Sequence, residues 1–342
     1  GRRGGHGRGM TQRDRLWYWL RIAAGLAFLI AMIAIVDVAS HGSFLEPSNI
    51  VRVLRQITYN CVLGIGQTFV IITSGIDLSV GSLVALTGVV AALFANSVHL
   101  SGFPLIAATL IVAVTVGCAA GWVNALPVVK LNLPPFITTL AMLEMALGAS
   151  FILSHGRPVA LQSSDFENTG IGSFMGGVTN ALHLPSIPVP VIWMLVVIVA
   201  ASVLLNRTRF GRYVFAIGGN EEAARLAGIN VARVKTMVYM ISGGCAAIVG
   251  FLYMALFSSG SPQTGTGDEL LESIAAVVVG GTSLMGGRGS VIGTFFGALL
   301  IGVLYNAMNL LNVDSYLQKV LLGAVILLAV VLDELRKRYL AK

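Results

Sequence analysis

The stretch SGIDLSVGS, residues 74 to 82, places a single carboxylate between two strongly apolar runs and surrounds it with glycine and serine. A carboxylate in hydrocarbon is costly, so Asp77 is expected at a helix break, near an aqueous interface or a wet cavity. There Asp77 or Ser79 could cap the following helix through a side-chain oxygen. We favour this structural cap over direct contact with a solute, and both interpretations stay open.

Glu144 is the second carboxylate inside an apolar run. If its helix begins at Pro134 and Pro135, which suit a first turn, about ten residues at roughly 1.5 Å each place Glu144 ~15 Å deep, near the middle of a bilayer. Such a position marks either a transport pathway or paired charge, or a protonated carboxyl bonded to a neighbouring helix. The sequence supports both interpretations equally.

Uncharged polar groups could line a path for a small polar solute. Those within or at the ends of apolar runs are Gln67, Thr68, Asn124, Thr138, Thr139, Asn306 and Asn309. More often such residues simply bond across helices. The three cysteines each lie inside an apolar run without CxxC spacing, and the five histidines are scattered, so we expect no disulfide and no metal site.

The segment GGNEEAARLAGI, residues 218 to 229, contains signals for both ends of a short helix. Asn220 suits the N-cap, Glu221 and Glu222 complement the dipole in the first turn, and Gly228 suits the left-handed position after the last turn. A helix of about two turns is not stable alone in water. We therefore predict that it docks on a partner protein, the alternative being a solvated connector on the membrane surface.

The composition predicts the elements that must position these residues. Of 342 residues, 56% are hydrophobic and 11% are charged, against about 25% charged in ordinary soluble domains. This indicates an all-α membrane protein with about ten transmembrane helices. The predicted helices lie near 18–38, 57–75, 82–98, 104–126, 135–154, 187–205, 236–257, 272–285, 290–310 and 317–333.

Charge predicts the orientation of this bundle. With the N-terminus in the cytoplasm, 18 of the 22 lysines and arginines fall on the cytoplasmic side, as the positive-inside rule requires. Both termini are then cytoplasmic, and the net charge of +7 reflects topology and lipid contact, with no need for nucleic acid. We divide the chain into 1–16, a basic arm or expression remnant, 17–335, a transmembrane domain with a soluble loop at 206–235, and 336–342, a cytoplasmic tail.

Three motifs in order carry a family resemblance: GIDLSVGS, FGRYVFAIGGNEEAARLAGINVARVK and AVVVGGTSLMGGRGSVIGTFFGALLIGVL. From about residue 45 to 335 the chain resembles the permease subunits of bacterial ATP-binding-cassette (ABC) importers for simple sugars, the group of the ribose, arabinose, xylose, galactose and autoinducer-2 permeases. The sequence departs from that pattern at Glu144, where the family generally has an uncharged residue, and at Leu147, where it often has arginine.

The resemblance implies an ABC importer permease fold in the cytoplasmic (inner) membrane and a second permease copy, identical or paralogous. It also implies separate ATPase subunits that bind ATP and Mg, and a periplasmic sugar-binding protein that docks on outer loops including 155–186 and 258–272. This chain itself would bind no cofactor. By the same resemblance, the coupling helix that rests in a cleft of the ATPase comprises Asn220, Glu221, Glu222, Ala223, Ala224, Arg225, Leu226, Ala227, Gly228 and Ile229.

We therefore predict a transport subunit that is not an enzyme and that moves a simple sugar, ribose or a related pentose, by alternating access. No GxxxxGK[ST] motif is present, which agrees with ATP hydrolysis on another chain. One alternative is an ion-gradient-driven secondary transporter of a small polar solute, which would need membrane-embedded charges, and beyond Asp77 and Glu144 there are few. A second alternative is a structural or signalling membrane protein, which would need no coupling-like helix.

Overall fold

The computed structural model of the chain describes residues 27, 29–170, 172–174 and 187–340. The predicted arm at 1–16, the first part of the predicted helix at 18–38, several residues of the predicted outer loop at 155–186, and residues 341–342 of the predicted tail lie outside the described residues.

The described chain is mostly helical. Its helices are α1 (Leu29–Ala39), α2 (Pro47–Ile72), α3 (Val80–Ser97), α4 (Gly102–Lys130), α5 (Pro135–Leu153), α6 (Glu167–Gly170), α7 (Val189–Arg207), α8 (Arg209–Gly219), α9 (Glu221–Leu226), α10 (Val231–Phe257), α11 (Glu269–Val279), α12 (Val291–Leu310) and α13 (Ser315–Leu340). Its strands are β1 (Val159–Ala160), β2 (Ser173–Phe174), β3 (Ile187–Pro188) and β4 (Ser259–Gly260).

Six helices of the described part are long and apolar enough to span a membrane, namely α3, α4, α5, α7, α10 and α12. Each predicted apolar run overlaps one helix, but several boundaries were predicted wrongly. The helix α2 begins at Pro47, ten residues before the predicted 57, so Arg52 and Arg55 lie inside it and not in a loop. A helix predicted from hydropathy ends at such arginines, because their charge lowers the local average. Their long apolar stems nevertheless allow the helix to continue into the membrane–water interface.

The helix α2 lies at the centre of the bundle. Every residue from Ile57 to Ile72 is buried, including polar ones such as Asn60 and Gln67. Because other helices enclose this segment on all sides, it needs no single apolar face, and its polar side chains can bond to neighbours within the protein. The helix therefore connects the polar groups described below.

Close packing in the bundle depends on glycines where helices cross. A Cβ atom at Gly117 of α4 would lie 2.3 Å from the carbonyl oxygen of Gly243 of α10. At Gly121 a Cβ atom would lie 2.2 Å from the Tyr239 carbonyl oxygen. Only glycine allows the two backbones to approach this closely, which gives α4 and α10 the extensive contact they share.

Two short antiparallel ladders, β1 with β4 and β2 with β3, connect the loops at one end of the bundle. At the same end, the Asp165 carboxylate accepts a hydrogen bond from the backbone N–H of Gly102 at 2.9 Å and one from the Ser163 hydroxyl at 2.8 Å. These two bonds hold the pKa of Asp165 below its usual value. The loop that follows α5 is thereby anchored to the start of α4.

Candidate functional site

The first polar site surrounds Asp77, between the end of α2 and the start of α3. Its carboxylate is fully buried. Oδ1 accepts hydrogen bonds from the backbone N–H of Ser79 at 3.0 Å and from the Ser79 hydroxyl at 2.6 Å, and Oδ2 accepts one from the Ser242 hydroxyl at 2.7 Å. The predicted helix break at Asp77 is confirmed, and of the two predicted caps it is Asp77 that binds the N–H just before α3.

Three more of the predicted polar residues meet at this break. The Asn124 amide donates to Asp77 Oδ1 at 3.3 Å and to Ser79 Oγ at 3.2 Å. The Gln67 amide donates to the Asp77 carbonyl, and the Thr139 hydroxyl donates to the Ile76 carbonyl at 3.2 Å. Side chains from α2, α4, α5 and α10 therefore hold the break in place. The sequence reasoning missed Ser242, whose only signal is a hydroxyl in an apolar run.

The remaining uncharged candidates lie elsewhere and join helices in pairs. The hydroxyls of Thr68 and Thr294 lie 2.6 Å apart, between α2 and α12. Asn306 and Asn49 exchange two hydrogen bonds of 2.8 Å. A further bond of 3.0 Å runs from the Gln318 amide to Asn309, whereas the Thr138 hydroxyl donates within its own helix to Pro135.

Glu144 lies on the exposed face of α5, between exposed apolar residues such as Leu140 and Met145. Its carboxylate has no hydrogen bond and no ion pair within the described part of the chain. Among the described residues it therefore bonds to no neighbouring helix, contrary to one of the two expectations. The buried face of α5 consists of Thr138, Thr139, Met142, Ala146 and Ser150, and Glu144 lies on the opposite, exposed face.

The predicted coupling helix is present as α9, which is shorter than expected. Asn220 caps it, since its side-chain oxygen accepts from the Ala223 backbone N–H at 2.9 Å. After the helix Gly228 adopts a φ of 83°, the left-handed conformation predicted for it. The soluble segment also contains a second helix that was not predicted, α8, immediately before Asn220. Leu226 at the end of α9 is 85% exposed.

The two glutamates that open α9 have different surroundings. Glu221 turns toward the protein, where its carboxylate contacts Arg225 at 3.1 Å and Lys235 of α10 at 2.6 Å. Glu222 is exposed. Glu221 therefore fixes the short helix to a long membrane helix, and Glu222 is available to a partner.

The end of α8 contacts the end of α2 through backbone atoms. A Cβ atom at Gly218 would lie 1.7 Å from the Ile72 carbonyl oxygen and 2.5 Å from the Gly287 nitrogen. The same Ile72 carbonyl accepts a hydrogen bond of 2.9 Å from the Gly287 N–H, and the Ser74 hydroxyl donates to the Met285 carbonyl at 2.9 Å. We call these five residues the glycine junction. Residues of the second and third sequence motifs meet there with the end of α2.

A second polar region lies toward the other end of α2 and was missed by the sequence reasoning. It is a cavity of about 270 Å³, which we call the polar cavity, lined by Gln56, Asn60, Tyr253, Gly267, Asp268, Glu269 and Glu272. The Asn60 amide donates to the carboxylate of Glu272, and both residues are buried. Because 212 residues separate this pair, no local pattern could have revealed it.

Comparison with known proteins places the chain among transport proteins. The profile of the family described as branched-chain amino acid transport system / permease component matches residues 49–330. The chain is 42% identical over 315 residues to the ribose import permease protein RbsC of Escherichia coli (strain K12), covering 92% of this chain and 94% of the relative.

Other relatives are similar along their whole length. Identity to the ribose import permease protein RbsC of Bacillus subtilis (strain 168) is 42%, covering 90% of each chain. Identity to the fructose import permease protein FrcC of Rhizobium meliloti is 36%, covering 91% of this chain and 85% of that one. No solved structure matches.

Proposed function

Because the chain belongs to the branched-chain amino acid transport system / permease component family, we propose that it is the permease subunit of an ATP-driven importer of a simple sugar. Ribose is the first candidate, and a related pentose is the alternative. The observation that carries this proposal is the end-to-end similarity to ribose import permeases, which extends through the membrane helices, α8, α9 and the glycine junction.

The chain is a multi-pass protein of the bacterial inner membrane. We propose ten spans with both termini in the cytoplasm. Support comes from the six long apolar helices together with α1, α2, α11 and α13, which add four more. In this orientation α8, α9 and the glycine junction lie on the cytoplasmic side, and the polar cavity opens toward the periplasm.

ATP and Mg bind to separate ATPase subunits in this proposal, and α9 is the helix that docks on them. The exposed Leu226 offers an apolar contact and the exposed Glu222 a charged one. The ion pair of Glu221 with Lys235 keeps α9 attached to α10 when the ATPase displaces α9. Movement of α8 is then transmitted to α2 at Gly218, because the Gly218 backbone lies directly against the Ile72 carbonyl.

The remaining partners are a periplasmic sugar-binding protein and a second permease copy. Glu144 supports a second copy, since a carboxylate in the middle of an apolar helix is costly when it faces lipid. An aqueous path between two copies would hydrate Glu144 and the exposed face of α5. The two copies are then either identical or paralogous.

Reconstitution tests the proposal. Proteoliposomes that hold the permease with its ATPase, supplied with ribose-loaded binding protein, should take up ribose only when ATP is present on the ATPase side. An ionophore that collapses ion gradients should leave uptake unchanged. Uptake that persists without the ATPase, or that stops with the ionophore, would support an ion-driven secondary transporter and contradict the proposal.

A further inference from the structure

The polar cavity combines the kinds of groups that bind a solute rich in hydroxyls. Its wall contains two side-chain amides, Gln56 and Asn60, one phenol, Tyr253, and three carboxylates. Amides can both donate and accept, and carboxylates accept from hydroxyl groups. A cavity with such a wall cannot face lipid, where unpaired polar groups are costly. It opens at Gly267, which is exposed.

Part of this wall is held rigidly before any solute arrives. Asn60 is 2% exposed and Glu272 is 8% exposed, and the hydrogen bond between them joins α2 to α11. The ring of Tyr253 stacks on Tyr59 with a centroid distance of 4.3 Å. The amide and the ring that line the cavity are therefore fixed by neighbours, which lowers the entropic cost of binding.

One buried polar atom of the cavity wall, the Oε2 atom of Glu269, lacks a hydrogen-bond partner among the described residues. A buried donor or acceptor without a partner costs about 1–3 kcal/mol. A ligand or an ordered water that supplies hydroxyl groups would remove this penalty.

The three carboxylates of the wall are not arranged as a metal site. Lys319 of α13 contacts the Asp268 carboxylate at 3.3 Å and compensates one negative charge. Glu272 already accepts the hydrogen bond of Asn60. Among the described residues no group of His, Cys, Asp and Glu is arranged to hold a metal ion. What remains is a mixed surface of amide, phenol and carboxylate groups.

We propose that the polar cavity is a sugar-binding subsite of the permease itself, which receives the sugar as it leaves the binding protein. The proposal rests on the proposed function. Asn60 and Gln56 contact sugar hydroxyls, Glu269 accepts a hydrogen bond from one of them, and Tyr253 offers its hydroxyl, since its ring stacks with Tyr59 and Phe257. The cavity has a volume of about 270 Å³ and is open on one side, so a small solute can enter it.

The test compares Glu269→Gln and Gln56→Ala with wild-type permease and with Glu46→Gln, an exposed glutamate just before α2 whose side chain makes no capping bond. Binding of radiolabelled ribose to permease in nanodiscs is measured directly. Uptake is measured in proteoliposomes as a function of the concentration of loaded binding protein. Basal ATP hydrolysis and size-exclusion profiles show that each variant is folded and assembled.

We expect ribose to bind wild type and Glu46→Gln equally, and both cavity variants about tenfold more weakly, as the loss of one hydrogen bond to a charged or fixed group predicts. Maximal uptake should fall similarly, with an unchanged half-saturating concentration of binding protein. A raised half-saturating concentration with unchanged maximal uptake would instead assign the cavity to docking of the binding protein, and overturn the subsite.

The two proposals fail in different ways. If wild-type permease imports no sugar, the proposed function is wrong. If wild type imports ribose but binds none in nanodiscs, or if both cavity variants behave as wild type, the subsite alone is wrong.

Discussion

The glycine junction and the polar cavity lie along the same helix and differ in how much space they contain. At the junction, the Gly218 backbone touches the Ile72 carbonyl so closely that one methyl group would overlap it. At the cavity, about 270 Å³ is open beside Asn60, twelve residues earlier in α2 and so about 18 Å away. Tight backbone contact suits the transmission of movement, and open polar space suits a solute.

The buried segment of α2 connects these two regions. Because every residue from Ile57 to Ile72 is enclosed, a displacement at the Ile72 end cannot be absorbed by side chains moving into solvent. The network around Asp77 fixes the break that follows this helix. Four substitutions test whether the difference between the regions is real, beginning with the one of largest expected effect.

The largest effect is expected for Gly218→Ala. Its Cβ atom would lie 1.7 Å from a backbone oxygen, so α8 must move away from α2 and transmission should fail. Ribose uptake in proteoliposomes should fall by about a hundredfold, and the overpacking should cost about 1–3 kcal/mol of stability. The matched control is Gly219→Ala, since nothing lies within 4 Å of a Cβ atom there. Equal uptake by the two variants would remove the special role of the junction.

At the polar cavity, Asn60→Leu should be the most damaging change. It removes the Asn60 amide as a donor to the buried carboxylate of Glu272, which should lower the free energy of unfolding by about 1–3 kcal/mol. Thermal unfolding of the purified permease measures this loss. The double variant Asn60→Leu with Glu272→Leu should recover much of it, because the unpaired charge is then absent. If the double variant is less stable than Asn60→Leu alone, the two residues do not act as a pair.

A moderate effect is expected where α9 attaches to α10. Glu221→Lys should lower uptake per ATP hydrolysed about fivefold, since Lys235 then faces a like charge. Exchanging both charges, as Glu221→Lys with Lys235→Glu, should restore most of the coupling. Glu222→Lys should not be rescued by the Lys235 change, because Lys235 forms its ion pair with Glu221 and Glu222 is exposed. If Lys235→Glu rescued Glu221→Lys and Glu222→Lys equally, the ion pair between α9 and α10 would not be what couples uptake to ATP hydrolysis.

The smallest effect is expected for Gly267→Ala at the mouth of the cavity. The nearest atom to its Cβ would be the Oε2 atom of Glu269 at 3.0 Å, the end of a side chain that can rotate away. Uptake should stay within about twofold of wild type. A loss as large as that of Gly218→Ala would show that both ends of α2 are equally intolerant of added volume.

The parts of this arrangement that depend on local chemistry could be predicted from the sequence. The cap at Asn220, the left-handed Gly228 and the helix break at Asp77 follow from side-chain chemistry within a few residues. The long helices could also be located from the sequence, because a continuous apolar run is likewise a local feature. The start of α2 was misplaced because Arg52 and Arg55 lower the local hydropathy without ending the helix.

Contacts between distant residues could not be predicted. Glu221 and Glu222 are neighbours with the same chemistry, and only the position of Lys235 in the folded chain distinguishes them. The pair of Asn60 with Glu272 and the contact of Gly218 with Ile72 likewise depend on how helices pack. A bonding partner for Glu144 is likewise a matter of packing, and the described residues contain none.

The most direct test of α9 as the docking helix is the labelling rate of Leu226→Cys by a maleimide, with the three native cysteines replaced by alanine. Tyr316→Cys, on α13 and 81% exposed, is the reference position. We predict that adding the ATPase slows labelling at position 226 at least tenfold and leaves position 316 unchanged. Equal labelling of position 226 with and without the ATPase, in a complex that still co-purifies, would contradict the assignment of α9 as the coupling helix.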